Sequence, residues 1–535
     1  MTWNLRRHLA TGCGGLALAA MCLAVAGPFP APAAAAAPQT ITIAVAETPD
    51  TLDPQLTGAA LVRNILYYVG DTLVIQNPFT KAVVPDLATR WTTSANGLTY
   101  RFFLRHDVKF QDGTPFNARA MAFTLDRAMN PATHANIAAS LLAPVKSVKV
   151  LGPYTLQIVL KYPYAPFLST ALSDPSLMAI SPTAVAKEKA KFAQDPVGTG
   201  PLMVKQYVAG KSLTLVRNPN YRWAPAFYKN RGPVKFKKLV FDFLPDSATI
   251  VNGLKTGEIT LSWPAAVTAI QAAQFKGNAH FQVIKTLHNG LTSFLIMNFK
   301  VPALKSLKVR RAINYAINKE AVIKLALNGN GVAAYSPLPP TLFGYDPASV
   351  KYGYHYNPAK AKQLLDAAGY KMGPNGYRVN ARGQALNFTL YTAENPPLGT
   401  QVVQQDLQAV GIQATIKSMD VGTVITDMEH GQQDLGMMGY TYNDPDVLYL
   451  FFDSASLHGG LNMSQYSSPA LDHLFLLGRE AVNTSRRAQI YREVQKYMVA
   501  NAVIVPIYTA EDFTVAEKIP GLKVANSHVL LQDVH

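Results

Sequence analysis

The sharpest chemical signal in the chain is the run Tyr440-Thr441-Tyr442-Asn443-Asp444-Pro445-Asp446. Its phenols, hydroxyl, amide and carboxylates could stack on a small molecule, hydrogen-bond to it or balance its charge. The run follows a predicted strand, Leu435–Gly439, so it reads as a loop at a strand end, where α/β lobes present groups to ligands. Tyr440 and Tyr442 are candidates to stack or hydrogen-bond, Thr441 to donate to a neutral or anionic group, and Asn443 to line the same loop. Strand-end residues alternate in facing, so the tyrosines can equally be read as partly core. Asp444 is placed with them, although capping or ordering the loop before Pro445 suits it better.

Other motifs lack the residues their chemistry requires. Ala209-Gly210-Lys211-Ser212 has the end of a phosphate loop, but Lys205 stands where G-x-x-x-x-G-K-[ST] requires glycine. In Gly198-Thr199-Gly200-Pro201, the proline removes an N–H that a phosphate cradle would use. The 11 histidines form neither H-E-x-x-H nor a close pair, which gives a zinc site little support. There is no G-x-S-x-G elbow. No set of catalytic roles emerges, so the chain is expected not to be an enzyme and to need no cofactor.

The elements that must position these residues fall into two regimes. Up to about residue 290 the chain is strand-rich. Residues 40–46 alternate with Ile41, Ile43 and Val45 on one face. Short strands are predicted at Thr99–Leu104, Val108–Phe110 and Phe236–Phe243, and around Leu213 and Leu215. A hairpin is predicted around Gly152-Pro153, between Val148–Val150 and Thr155–Leu160. Beyond residue 290, helices alternate with strands. Helical spacing covers Lys308–Leu327. Asn357 can cap a helix with Pro358 at its first position and Gly369 at its end. Leu386–Tyr391, Ile412–Ile416 and Leu435–Tyr440 read as strands, Val402–Val410, Pro469–Leu477 and Ser485–Val499 as helices. Val503–Tyr508 returns to strand, as if the chain crossed back to its first lobe.

Composition fixes the compartment and excludes some partners. Arg6 and Arg7, an apolar stretch from Leu9 to Gly27 and the small residues Ala31–Ala37 have the layout of a secretory signal peptide, cleaved near Ala36–Pro38. Cys13 lies too early for a lipid anchor and Cys22 follows the bulky Met21, so a periplasmic protein released from the membrane is expected. Both cysteines lie in this segment; the remaining chain of about 498 residues has no thiol to pair or to ligate a metal. Loss of Arg6 and Arg7, with no acid alongside them, lowers the net charge from +16 to +14. The bases are scattered, densest at Lys229–Lys238, and an exported chain of this kind is not expected to bind nucleic acid.

Taken in order, several segments resemble the peptide/nickel/opine family of bacterial extracytoplasmic solute-binding proteins, family 5. They are Thr51-Leu52-Asp53-Pro54; Pro85-Asp86-Leu87-Ala88 with Trp91; Leu98–Phe102; Val108–Phe116; Val197–Pro201; Arg217–Tyr221; Gly257-Glu258-Ile259; Val309–Ile317; and Ala361–Leu365 with Gly369. The resemblance covers about residues 40–520. It implies an α/β, two-lobed periplasmic-binding-protein (flytrap) fold with an extra subdomain in the N-terminal lobe. Residues 1–37 would be the signal peptide. Lobe I would be 38–291 plus 506–535, with the inserted subdomain at about 82–195, and lobe II 292–505. Hinge crossings are expected near Thr292–Asn298 and Val505–Ala510. Most motif residues, Gly113, Pro115, Gly200 and Pro201 among them, suit turns better than ligand contact.

The resemblance further implies a monomer that captures a small solute (peptide-like, opine-like or a chelate) and delivers it to an ABC permease and ATPase at the inner membrane. The alternative is a sensory or chaperone module of the same fold without transport. In peptide-binding members the segment matching Thr441–Asp446 reads D-Y-N-E-P or D-x-x-D-P-D, and its first Asp pairs with the ligand's terminal ammonium. Thr441 holds that place here. Burying an ammonium against a neutral hydroxyl would cost on the order of 3–5 kcal/mol, or two to three decades of affinity. An ordinary free-amino peptide is therefore not the expected cargo. Glu47, Thr48 and Thr51, with Trp263, are the expected wall from the first lobe, and Glu394 and Asn395 with the double proline are further candidates.

Overall fold

The computed structural model describes residues 38–393, 398–457, 460–525 and 527–535. The signal segment, both cysteines, and Glu394 and Asn395 with the two prolines after them lie outside the described residues.

Alternation of apolar residues builds the first half as expected. Thr40–Val45 pairs in parallel with Lys238–Phe243, burying Ile41, Ile43 and Val45. Outward from there, Lys238–Phe243 pairs with Ser212–Arg217, and that strand with Leu202–Val208, both antiparallel. A separate four-stranded antiparallel sheet runs in the order Ala88–Thr93, Thr99–Leu104, Thr155–Leu160, Val145–Gly152. It has its own core, built on Tyr100, Phe102, Leu156 and Ile158, and helix Ala118–Met129 contributes Met121 and Leu125 to it. Asn117 caps that helix through bonds from the Arg119 and Ala120 N–H groups, both at 3.0 Å.

The motifs of this half act as seams. In the Thr51–Pro54 motif, Asp53 pairs with Arg127 at 2.7 Å. Gln111 Nε2 donates to the carbonyls of Val69 and Leu202, both at 2.8 Å. Gly198 and Gly200 press on the backbone of Val69–Gly70, where an added Cβ would lie 2.5 Å from Val69 O or 2.6 Å from Val69 C. These glycines are required by close backbone approach, as turn-type residues in such motifs imply.

The second half is a set of β-α-β units. Asn387–Ala393 pairs in parallel with Gln413–Met419 and with Leu435–Tyr440. Helices Leu398–Ala409 and Val421–Glu429 connect them. Leu435–Tyr440 runs beside Leu291–Met297. Asn357 caps Pro358–Ala367 as expected, accepting from Lys360 N at 2.9 Å.

Two expectations shift. Lys308–Leu327 is two helices, Leu307–Ala316 and Lys319–Ala326, because Asn318 N donates to Asp406 at 2.8 Å and its side chain starts a new cap. Val108–Phe110 contributes only an isolated bridge, Lys109 to Pro115.

One long strand, Ile504–Glu517, ties the halves together. Its residues 511–517 pair with Phe281–Leu287, and its residues 504–508 with Leu291–Met297. Residues 292–297 are thus strand, and the irregular backbone between the two sections is His288–Gly290. No helix among the described residues is long and apolar enough to cross a membrane.

Candidate functional site

The loop after Leu435–Tyr440 meets the first half of the chain at His288–Gly290. Gly290 has φ +101°, and a Cβ there would lie 2.5 Å from Tyr440 O and 2.6 Å from Tyr442 N. Only glycine lets these two segments touch. Asn289 donates to the Tyr442 carbonyl at 3.2 Å and to the Asn443 side chain. His288 Nε2 lies 3.1 Å from Thr441 Oγ1, and His288 Nδ1 lies 3.0 Å from Asp512 on the long strand. Thr441 is therefore the end of a hydroxyl–imidazole–carboxylate chain. With Nδ1–H donating to Asp512, Nε2 accepts the Thr441 proton, and the hydroxyl oxygen is left as an acceptor. This narrows the donor role expected from the sequence.

The acids of the loop point away from solvent. Asp444 is buried and pairs with Arg487 at 2.5 and 2.9 Å. It also accepts from Ser169 Oγ at 2.8 Å and from Asp446 N at 2.9 Å. Burial pushes its carboxyl up, but the Arg487 guanidinium outweighs that and holds it below the usual range. Asp446 is also buried; desolvation raises it to about 6, with Arg479 at 3.2 Å offsetting part of the shift and Asp444 adding to it. Tyr164 and Tyr491 reach Asp446 at 3.3 and 3.4 Å. Asp444 orders the loop, as its place before Pro445 suggested, and through Ser169 it joins the loop to the first half. Tyr440 and Tyr442 stack at 6.1 Å and pack on the core containing Phe451, with Tyr440 edge-on to Phe451 at 5.2 Å. Their partly-core reading holds.

Of the residues named from sequence, Trp263 from the first half and Asn443 from the loop line one cavity. It holds about 990 Å³ of space between atoms, part of it open to solvent. Trp263 also packs 6.1 Å from Phe241. Glu47 and Thr48 are exposed and do not line that cavity. Thr51 is turned into its own turn, accepting from Asp53 N at 3.2 Å and donating to Ala193 O at 3.4 Å.

The walls that sequence reading missed are aromatic: Tyr67, Tyr68, Tyr221, Phe227 and Tyr228, with His528 from the C-terminal segment. Tyr67 donates to Ser173 O at 2.9 Å and meets the His528 ring edge-on at 5.1 Å. Burial drives the His528 imidazole down to about 4, with Lys81 adding to the effect. Two acids line the same cavity. Asp71 accepts from Thr199 Oγ1 at 2.7 Å, Trp223 Nε1 at 2.8 Å and Tyr221 OH at 3.0 Å. Asp86 accepts from Thr72 N at 3.0 Å through Oδ2. Asp86 and Tyr221 stand in strings that carry the family resemblance, but no local pattern shows that they meet the other residues in one cavity, because the segments are distant in the chain. Among the described residues no group of three or more His, Cys, Asp or Glu could hold a metal ion.

A cleft roofed by a strand-end loop, with the chain crossing twice between two sheet sections, defines a two-lobed solute-binding protein of the periplasmic type. The comparisons with known proteins agree. The family model for bacterial extracellular solute-binding proteins, family 5 (middle), matches residues 82–458. The chain belongs to this family, whose members serve ABC importers.

A probable di/tripeptide-binding protein 5 from Pseudomonas aeruginosa is 30% identical over 458 residues, covering 79% of this chain and 81% of the relative. A glutathione-binding protein from Salmonella choleraesuis, GsiB, is 30% identical over 79% of each. Among solved structures, HbpA2 from Haemophilus parasuis superposes with a TM-score of 0.81 at 24% identity, covering 93% of this chain and 99% of that one. DppA from Helicobacter pylori, in complex with the peptide STSA, gives a TM-score of 0.72 at 25% identity over 94% and 98%.

Proposed function

We propose that the protein is the periplasmic receptor of an ABC importer, working as a monomer without turnover, and that its cargo is not an ordinary free-amino peptide. Lobe I is 38–291 plus 506–535, with the inserted subdomain at about 82–195, and lobe II is 292–505. Residues 1–37 direct export. Closure would convert the ligand's preference for the closed state into a shape that the permease reads.

The observation that carries the ligand reading is the partnering of Thr441. Its hydroxyl is joined to His288 rather than to an acid, Asp512 is engaged by the same imidazole, and the loop's own carboxylates, Asp444 and Asp446, are turned onto Arg487 and Arg479. Nothing at this place on the loop balances an α-ammonium. Asn443, Trp263 and Thr441 are the proposed contacts, with Tyr440 and Tyr442 behind them; Asp444 shapes the loop. Glu47, Thr48 and Thr51 contribute only as a rim.

Calorimetric titration of the purified protein with di- and tripeptide pools tests this. No saturable heat is expected; micromolar binding of unmodified peptides would sink the ligand reading.

A second, hydrolytic reading has one observation in its favour: Thr441, His288 and Asp512 stand in the order of a nucleophile, its base and the base's carboxylate. Turnover of a retained ligand would distinguish it from capture.

A further inference from the structure

The cavity lining includes an acid with one oxygen that the protein leaves without a partner. Asp86 is 2% exposed. Its Oδ2 is held by Thr72, but its Oδ1 has no hydrogen-bond partner. A buried oxygen left unsatisfied costs about 1–3 kcal/mol, more if charged, unless something else supplies a donor. Asp71 stands with it on the same wall, fully satisfied by Thr199, Trp223 and Tyr221.

The surrounding charges offset this pair only in part, through Arg105. Arg105 is committed elsewhere, donating Nε to the Asp86 main-chain oxygen at 3.0 Å and lying 3.6 Å from Asp107. Lys81 donates to Pro78 O at 3.1 Å. His528 is neutral because of its burial. Burial and the charge of Asp71 push the Asp86 carboxyl well up, outweighing the bonds from Thr72 and the charge of Arg105 that pull it down. The facing walls are aromatic rings, whose faces attract cations.

We propose that Asp86, backed by Asp71, is a cation subsite that takes an N–H-bearing organic cation, an ammonium or guanidinium, carried by the cargo and enclosed by Tyr67, Tyr221, Phe227 and Tyr228. It deepens the capture reading and rests on it. The cation received here is a basic group elsewhere on the ligand, not the α-ammonium that Thr441 does not serve.

The purified protein is titrated with 2-phenylethylammonium and with its neutral counterpart 2-phenylethanol. The ammonium is expected to bind at least about tenfold tighter than the alcohol, and to release protons as it fixes the raised carboxyl in its charged form. Proton release is read from the heats in buffers of different ionisation enthalpy. Asp86→Asn should remove the preference and leave the alcohol unchanged. Tyr228→Leu, which keeps both acids, should weaken the ammonium more than the alcohol if Asp86→Asn does not fold.

Equal binding of the two probes, no saturable binding of the ammonium, or a preference untouched by both variants overturns the subsite. The peptide titration stays independent. Free dipeptides that bind micromolar would overturn the ligand reading whatever Asp86→Asn does to them, whereas the subsite stands or falls on the ammonium and alcohol pair.

Discussion

At the scale of single residues, Thr441 separates this protein from a receptor that clasps a peptide amino terminus. Thr441→Asp would place a carboxylate beside His288. Free-amino dipeptides should then gain at least about tenfold in affinity, since a matched charge restores roughly the pairing energy the hydroxyl lacks. Calorimetry on the variant checks this, and an unchanged affinity counts against the role given to this position.

Arg487 makes a second residue-scale case. Arg487→Met would strand Asp444 as a buried, unpaired acid, and urea unfolding should show a loss of about 3–5 kcal/mol. Adding Asp444→Asn should recover much of it, because the stranded charge is then gone. The ordering role of Asp444 was legible from its place before Pro445, and Thr441 stood out only against the pattern of the family it resembles. The sequence did not expose Arg487, Asp512 or His288, whose roles exist only through contacts 43, 153 and 224 residues apart in the chain.

At the scale of elements, alternation and capping residues marked most strands and helices. Thr40–Val45, the hairpin at Gly152-Pro153 and the Asn357-Pro358 start formed where their patterns placed them. The misses have a physical cause. Helical spacing runs unbroken through Ile317-Asn318, so only the tertiary bond from Asn318 N to Asp406 reveals the break. The contact between the halves at Gly290 is likewise invisible to local pattern. There the backbone adopts a φ that an L residue rarely takes, and a side chain would strike the ligand loop. Gly290→Ala should cost about 1–3 kcal/mol of stability in chemical unfolding. It should also weaken capture, because the loop holding Thr441 must move aside. A variant of unchanged stability would show that the contact has room to give.

At the scale of the whole molecule, folding buries titratable groups that the unfolded chain exposes, and that should be visible in stability against pH. His528 is pushed down from 6.5 to about 4 in the folded chain. Its contribution is fully present above about 6.5, where neither state holds the proton. It is lost as pH falls toward 4, because the unfolded chain takes up a proton that the folded one refuses. Asp446, raised to about 6, acts in the opposite sense, losing stability as pH rises toward 6. The two therefore mask each other in the wild type. The difference in melting temperature between wild type and His528→Gln isolates the histidine: relative to the variant, the wild type should lose ground from pH 6.5 to 4. A constant difference would show that His528 is not buried in the folded state.

Capture of a small solute in the cleft is the centre of the functional reading. Native mass spectrometry of the protein isolated from the cells that make it measures this most directly. A one-to-one adduct with a small molecule that lacks a free α-ammonium and carries a basic nitrogen elsewhere is expected. An adduct of unmodified di- or tripeptides, or a bound molecule that leaves chemically altered, contradicts it.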